Sequence, residues 1–88
     1  MSRTILMLPG DGIGPEIVAE AEKILHKVNE KFSLDLHFES ALVGGAAIDE
    51  TDTPLPDETL DKARKADAIL LGAVGGPQWD NRPMASRP

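Results

Sequence analysis

The sequence predicts an α/β fold: the β-α-β-α-β start of a parallel sheet, incomplete at its C-terminal end. Three observations point there. Short, wholly apolar runs at 4–9 and 68–71 suit strands buried on both faces. Between them, an apolar stripe at helical spacing precedes an alternating run at 34–39. Gly and Pro clusters separate the runs, and the order β-α-β-loop-α-β implies right-handed parallel crossovers.

The first strand, 4–9, ends in Pro9-Gly10. Pro15 then opens a helix, because its fixed φ and missing N–H suit the first turn, with Gly14 as N-cap. Glu16 lies in that turn, where the helix dipole favours negative charge. Ile17, Val18, Ala21, Ile24, Leu25 and Val28 recur at i, i+3, i+4 and i+7, so this stripe is expected to face the sheet. Glu22, Lys23, His26, Asn29 and Glu30 fall on the opposite, wet side. In 34–39, Leu34, Leu36 and Phe38 alternate with Asp35, His37 and Glu39, a strand with one polar face. Residues 41–52 read as a glycine-punctuated connection with room for one helical turn. Pro56-Asp57-Glu58 starts another helix that carries Leu60 and Ala63 inward. Ala68-Ile69-Leu70-Leu71 is a third buried strand, closed by Gly72. After Val74 the chain turns polar and Pro-rich, with no later element to close it. No internal domain boundary is expected in 1–88.

Composition narrows the function classes. The chain has 88 residues, a formal net charge of −6, no Cys and no Tyr. One small domain of this size has a marginal core. Excess acid with scattered Lys and Arg argues against nucleic acid as a partner. Without Cys, neither a disulfide framework nor a thiolate metal site can form. No apolar run reaches membrane-spanning length, and none resembles a signal peptide. A soluble, cytoplasmic protein is the expectation. His26 reads as a solvated residue on the polar helix face, and His37 as a sheet-face residue, since no second His or acid sits at ligand spacing near it.

The stretch LPGDGIGPE at 8–16 is the first candidate for chemistry. Gly10 and Gly12 match two positions of a dinucleotide-binding turn, and Glu39 stands near the place of its ribose-binding acid. Pro15 occupies the third position, where close packing of helix and strand calls for a small residue. No Gly-Lys-Ser/Thr is present, so a Walker loop is excluded. The plainer reading is a sharp strand-to-helix turn built by glycine, with Asp11 as a turn residue or local hydrogen-bond acceptor.

Taken together, LPGDGIGPE, GGAAIDETDTPLPDETL and ADAILLGAVGGPQWD resemble the β-decarboxylating dehydrogenases. The resemblance runs over 4–88. GDGIGPE is common to the family, whereas the run Gly72-Ala73-Val74-Gly75-Gly76-Pro77-Gln78-Trp79-Asp80 resembles its isopropylmalate branch. The resemblance implies an NAD-dependent oxidative decarboxylation of 3-isopropylmalate, in leucine biosynthesis, by a homodimeric parent protein using Mg or Mn. It also implies that the glycine turn is not a phosphate fingerprint, with Ile13 a minor cofactor contact at most. The family's catalytic Tyr and Lys, substrate arginines and metal carboxylates have no counterparts here, so no catalytic or metal residue is assigned and the isolated chain is expected to be inactive.

What the resemblance does carry over is the cofactor side, at 75–88. Gly75 and Gly76 would admit close backbone approach to NAD, and Pro77 would stiffen the turn. Gln78 stands where the family pattern has Lys. Trp79 reads as a packing anchor rather than a stacking platform, and Asp80 reads equally as a turn acceptor. Asn81, Arg82, Pro83, Met84, Ala85, Ser86, Arg87 and Pro88 complete the loop; Arg82 and Arg87 do not match the substrate arginines. Three alternatives stay open. They are a non-catalytic truncated subunit that binds full-length partners through its sheet edge, a sister enzyme acting on isocitrate, homoisocitrate or tartrate, and a small dinucleotide-binding domain using Gly10, Gly12 and Glu39.

Overall fold

The computed structural model describes residues 2–88. The most apolar run takes the centre of the sheet. β1 (Arg3–Gly10) lies between β2 (Leu36–Ser40) and β3 (Ala68–Ala73), all parallel, in the order β2-β1-β3. Leu6, Met7 and Leu8 are the buried residues of β1, Leu6 and Met7 completely so. At its start, β1 is tied to the residue before β3 by a double contact. Thr4 N–H donates to the Asp67 carboxylate at 2.8 Å, and Asp67 N–H donates to the Thr4 carbonyl at 2.9 Å. That pair sets the β1–β3 register.

α1 (Gly14–Phe32) lies over β1 and β3. Its N-cap is Ile13 rather than Gly14, so Pro15 occupies the second helical position, where its missing N–H is still harmless. The apolar stripe is only partly covered. Val18 is buried, while Ile24 is 65% exposed. Two residues expected on the wet side turn towards β2 instead. The His26 ring packs against Phe38, tilted by 50° with 4.4 Å between centroids. Asn29 receives the Leu36 N–H at 2.9 Å and donates back to the Leu36 carbonyl at 3.4 Å.

The alternation at 34–39 suggests a strand from Leu34, yet β2 starts at Leu36. Ser33 (φ 51°) and Asp35 (φ 56°) are both left-handed, so the chain leaves α1 through a tight turn and cannot extend until Leu36. Leu34 N–H closes that turn on the Asn29 carbonyl. Asn29 thus serves both the helix end and the strand start.

The connection at 41–52 contains a helix of two turns, α2 (Gly45–Thr51), and α3 spans Asp57–Lys65. Leu60 and Ala63 of α3 are half-buried, but its most buried residue is Thr59, 2% exposed, whose hydroxyl donates to the Leu42 carbonyl at 2.6 Å. β3 does not close at Gly72; it runs on to Ala73, which pairs with Gly10. This pairing needs glycine in β1. Gly10 has φ +75°, and a Cβ there would collide with the Ala73 carbonyl oxygen. On the Leu6–Leu8 face, the cover over β1 stops short of β3, leaving Ile69 and Leu71 51% and 55% exposed. No helix among the described residues is long and apolar enough to cross a membrane.

Asn29→Ala is expected to lower stability by about 1–2 kcal/mol, because the Leu36 N–H loses its acceptor. Glu30→Ala, on the exposed face beside it, should change little. Urea denaturation of the two variants measures the difference.

Candidate functional site

The strands all point their carboxyl ends to one edge, where Gly10, Ser40 and Ala73 end the sheet. From β1 the chain winds to one side to form β2, then crosses back to form β3 on the other. In α/β sheets such a reversal opens a crevice beyond the strand ends, and ligands bind there. Two segments enter this crevice: the turn at 10–14 and the loop that follows Ala73.

Asp11 joins them. Its N–H donates to the Ala73 carbonyl at 2.7 Å, and its own carbonyl receives the Gly14 N–H at 2.8 Å. The residue is 6% exposed, and its carboxylate accepts three further backbone donors. Oδ2 takes Gly45 N–H at 2.6 Å and Gly75 N–H at 3.0 Å, and Oδ1 takes Ala46 N–H at 2.6 Å. The carboxylate therefore does the work of an N-cap for α2, whose own capping residue, Gly44, has no side chain. A negative charge at that helix end is also favoured by the dipole. The reading of Asp11 as a local acceptor is thus too narrow, because its carboxylate partners lie 34, 35 and 64 residues away.

The other glycine of the α2 start is explained by size. The Trp79 ring lies on Gly45, in the space a Cβ would fill. Trp79 belongs to a 3₁₀ turn, Pro77–Trp79, and a second such turn spans Met84–Ser86. Between them, Arg82 Nη2 reaches the Asp52 carboxylate at 3.3 Å, just past the far end of α2. Arg82 Nε donates to the Ser86 carbonyl at 3.2 Å, and Arg87 Nε to the Arg82 carbonyl at 2.7 Å. Both guanidinium groups are therefore engaged within the loop or with α2. The segment 75–88 lies along α2, held near its start through Asp11 and Trp79 and near its end through Arg82.

Residues in 75–88 differ in what they present. Gly75 (φ +99°) faces open space where a Cβ would stand, whereas that space beside Gly76 is taken by Gln78 Oε1 and the Trp79 ring. Gln78, Asp80, Asn81, Pro83, Met84 and Ala85 are exposed. Asp80 contributes its N–H to the Pro77 carbonyl. Ile13, at the tip of the turn, is also exposed. Glu39 is exposed on β2, a strand away from the crevice. On the β2 side of the turn, Pro9, Pro15, Leu42 and Val43 border a hollow of about 440 Å³ with an almost wholly apolar lining, unsuited to a pyrophosphate. Among the described residues, no group of three or more His, Cys, Asp or Glu could hold a metal ion.

The isocitrate/isopropylmalate dehydrogenase family model matches residues 4–88. The chain belongs to this family. It is 65% identical over its whole length to 3-isopropylmalate dehydrogenase of Hahella chejuensis and 61% identical to that of Pseudomonas fluorescens. It spans 24% of the length of each of these two relatives. Among solved structures, the β-decarboxylating dehydrogenase of Thermococcus kodakarensis in its apo form matches 88% of the chain with a TM-score of 0.71 at 34% identity. The match covers 22% of that protein. Isocitrate dehydrogenase of Methylococcus capsulatus matches 85% of the chain, TM-score 0.69 at 37% identity, and is covered over 21% of its own length. The α/β fold of this dehydrogenase family member is thus shared with both structures.

Trp79 is the single tryptophan of the chain and reports on its own packing. Gly45→Val is expected to push the ring off α2, shift its fluorescence to longer wavelength and cost about 1–3 kcal/mol through overpacking. Gly12→Ala, strained by its φ of +57° but with no atom near the added methyl group, should cost some stability yet leave the emission unchanged.

Proposed function

We propose that this chain is the N-terminal part of an NAD-dependent 3-isopropylmalate dehydrogenase, and that 75–88 form one wall of its cofactor cleft beside the nicotinamide half. The observation that carries the reading is the 65% identity to such an enzyme across all 88 residues. The position of 75–88 supports it, since the segment leaves β3 at the reversal of strand order, where a cofactor is expected.

The residues present suit a cofactor wall made mainly of backbone. Gly75 is open on one side, and Gln78, Asn81, Pro83 and Ala85 of the turns that follow are exposed, so NAD can approach closely at Gly75. Gln78 brings hydrogen-bonding capacity without charge. Trp79 sets the outer carbons of its six-membered ring against Gly45, which fits an anchor for the wall. NAD supplies the hydride acceptor. In the proposed reaction, C2 of 3-isopropylmalate gives a hydride to NAD and the hydroxyl gives up its proton. The bond to the β-carboxylate then breaks to release CO₂, and reprotonation of the enol yields 2-oxoisocaproate.

This segment offers no set of metal ligands among its described residues, so the Mg or Mn of the proposed reaction belongs to residues outside it. The chain has no Tyr, and its Arg82 and Arg87 are engaged in the loop, so the proposal assigns it neither acid, base nor substrate clamp. By itself it is proposed to be inactive. The reading also includes a cytoplasmic homodimer as the working form of the parent enzyme.

A chimera tests the proposal. This segment replaces the matching part of the Hahella chejuensis enzyme, and NADH formation is followed with 3-isopropylmalate, isocitrate and tartrate. The expected result is turnover with 3-isopropylmalate at a rate near that of the unaltered enzyme. A folded chimera that turns over none of the substrates, or prefers isocitrate or tartrate, overturns the reading.

A further inference from the structure

We infer that Asp11 is a positioning residue for the cofactor: it touches no part of NAD but sets where the 75–88 wall stands. The inference rests on the reading of 75–88 as that wall.

Three features of the structure lead to it. First, the Asp11 carboxylate is divided between two bodies. Two of its bonds, both 2.6 Å, go to the start of α2, and the third, 3.0 Å, goes to Gly75. α2 is itself seated in the core through Ala47 and Ile48, so the carboxylate is a fixed point from which the loop is held. Second, Gly75 is the residue most in need of such a point. It has φ +99°, no Cβ and open space beside it, so its own sterics leave its direction unset. An N–H bond to an ionised, mostly buried oxygen restricts it strongly, being charge-assisted and shielded from water. Third, Gly75 is the second residue after β3, so a rotation there swings everything from Gly76 onward. The later anchors, Trp79 on Gly45 and Arg82 on Asp52, hold the loop along α2 and leave its first residue to Asp11.

The carboxylate is needed, as well as the shape. In Asp11→Asn one amide oxygen can still serve two donors, but the NH₂ group then faces a backbone N–H. The oxygen shared by Gly45 and Gly75 keeps both donors, the Ala46 contact fails because a donor opposes a donor, and the bond that holds Gly75 loses its charge assistance. Asp11→Ala removes all three. The expected order of cofactor affinity is therefore Asp above Asn above Ala.

The test uses the chimeric dehydrogenase with four variants: Asp11→Asn, Asp11→Ala, Arg82→Ala and Thr59→Val. A misplaced wall is expected to raise KM for NAD by about tenfold in Asp11→Ala and by about threefold in Asp11→Asn. KM for 3-isopropylmalate, and kcat at saturating NAD, should stay within about twofold, since the interaction lost is with the cofactor alone. Thr59→Val is the structural control, because it lowers Tm by unpairing the Leu42 carbonyl, remote from the loop, and should leave KM for NAD unchanged. Should Asp11→Ala fail to fold, Asp11→Asn carries the test. Asp11 variants that melt earlier but keep KM for NAD, or that lose all kinetic parameters together, overturn the positioning role. Arg82→Ala separates the two levels, because it loosens the wall without touching Asp11. If it raises KM for NAD and the Asp11 variants do not, the wall reading stands and the positioning role falls. If neither change affects KM for NAD, the wall reading itself is wrong.

Discussion

One buried carboxylate organises the carboxyl edge of this sheet. Asp11 receives N–H groups from the start of α2 and from the first glycine of the loop beyond β3. Both elements need it. A seven-residue helix is too short to form from propensity alone, and Gly44 gives it no cap. Gly75 has no side chain to fix its direction. The carboxylate, in turn, can lose its water only because three donors replace it, since an unpaired charge there would be costly. The glycine turn, the short helix and the loop therefore form one interdependent unit, although they are far apart in the chain.

The same unit explains the composition of the motifs. Gly10 is needed for the approach of the Ala73 carbonyl, and Gly45 for the Trp79 ring. The glycines of GDGIGPE thus serve packing and chain reversal, and the anion bound beside the turn is the protein's own Asp11. Within the turn, the Asp11 and Gly14 N–H groups are already given to the Ala73 and Asp11 carbonyls, and a dinucleotide phosphate there would stand beside the Asp11 carboxylate. Its negative charge argues against such a fingerprint independently of Pro15.

The strands and α1 were legible because their signals are local and periodic. Apolar runs mark β1 and β3, and an i, i+3, i+4 stripe marks α1. The period misleads where a tertiary contact overrides it. Leu34 continues the alternation of β2 but follows the left-handed Ser33 and precedes the left-handed Asp35, so it stays outside the strand. Gly72 looks like a stop, yet it continues β3 because Ala73 must reach Gly10. His26 and Asn29 look solvated on the helix, and both turn to β2. Asp11 was hidden for a stronger reason, since its partners are backbone N–H groups that leave no residue-type signature. Two deficits hinted at it: an acid within an otherwise glycine-rich turn, and a Gly-Gly helix start with no capping side chain. The proposed cofactor role of 75–88 comes from resemblance alone, because its Gly, Pro and Trp have no single chemical meaning apart from the fold that places them.

One spatial relation underlies the proposed function: the loop held by Asp11 is the proposed cofactor wall. A crystal structure of the chimeric dehydrogenase with NAD bound tests it most directly. The predicted result is the nicotinamide half of NAD against 75–88, with the Asp11 carboxylate still accepting Gly45, Ala46 and Gly75 N–H. NAD bound away from this loop, or Asp11 turned to solvent with the loop unmoved, would contradict it.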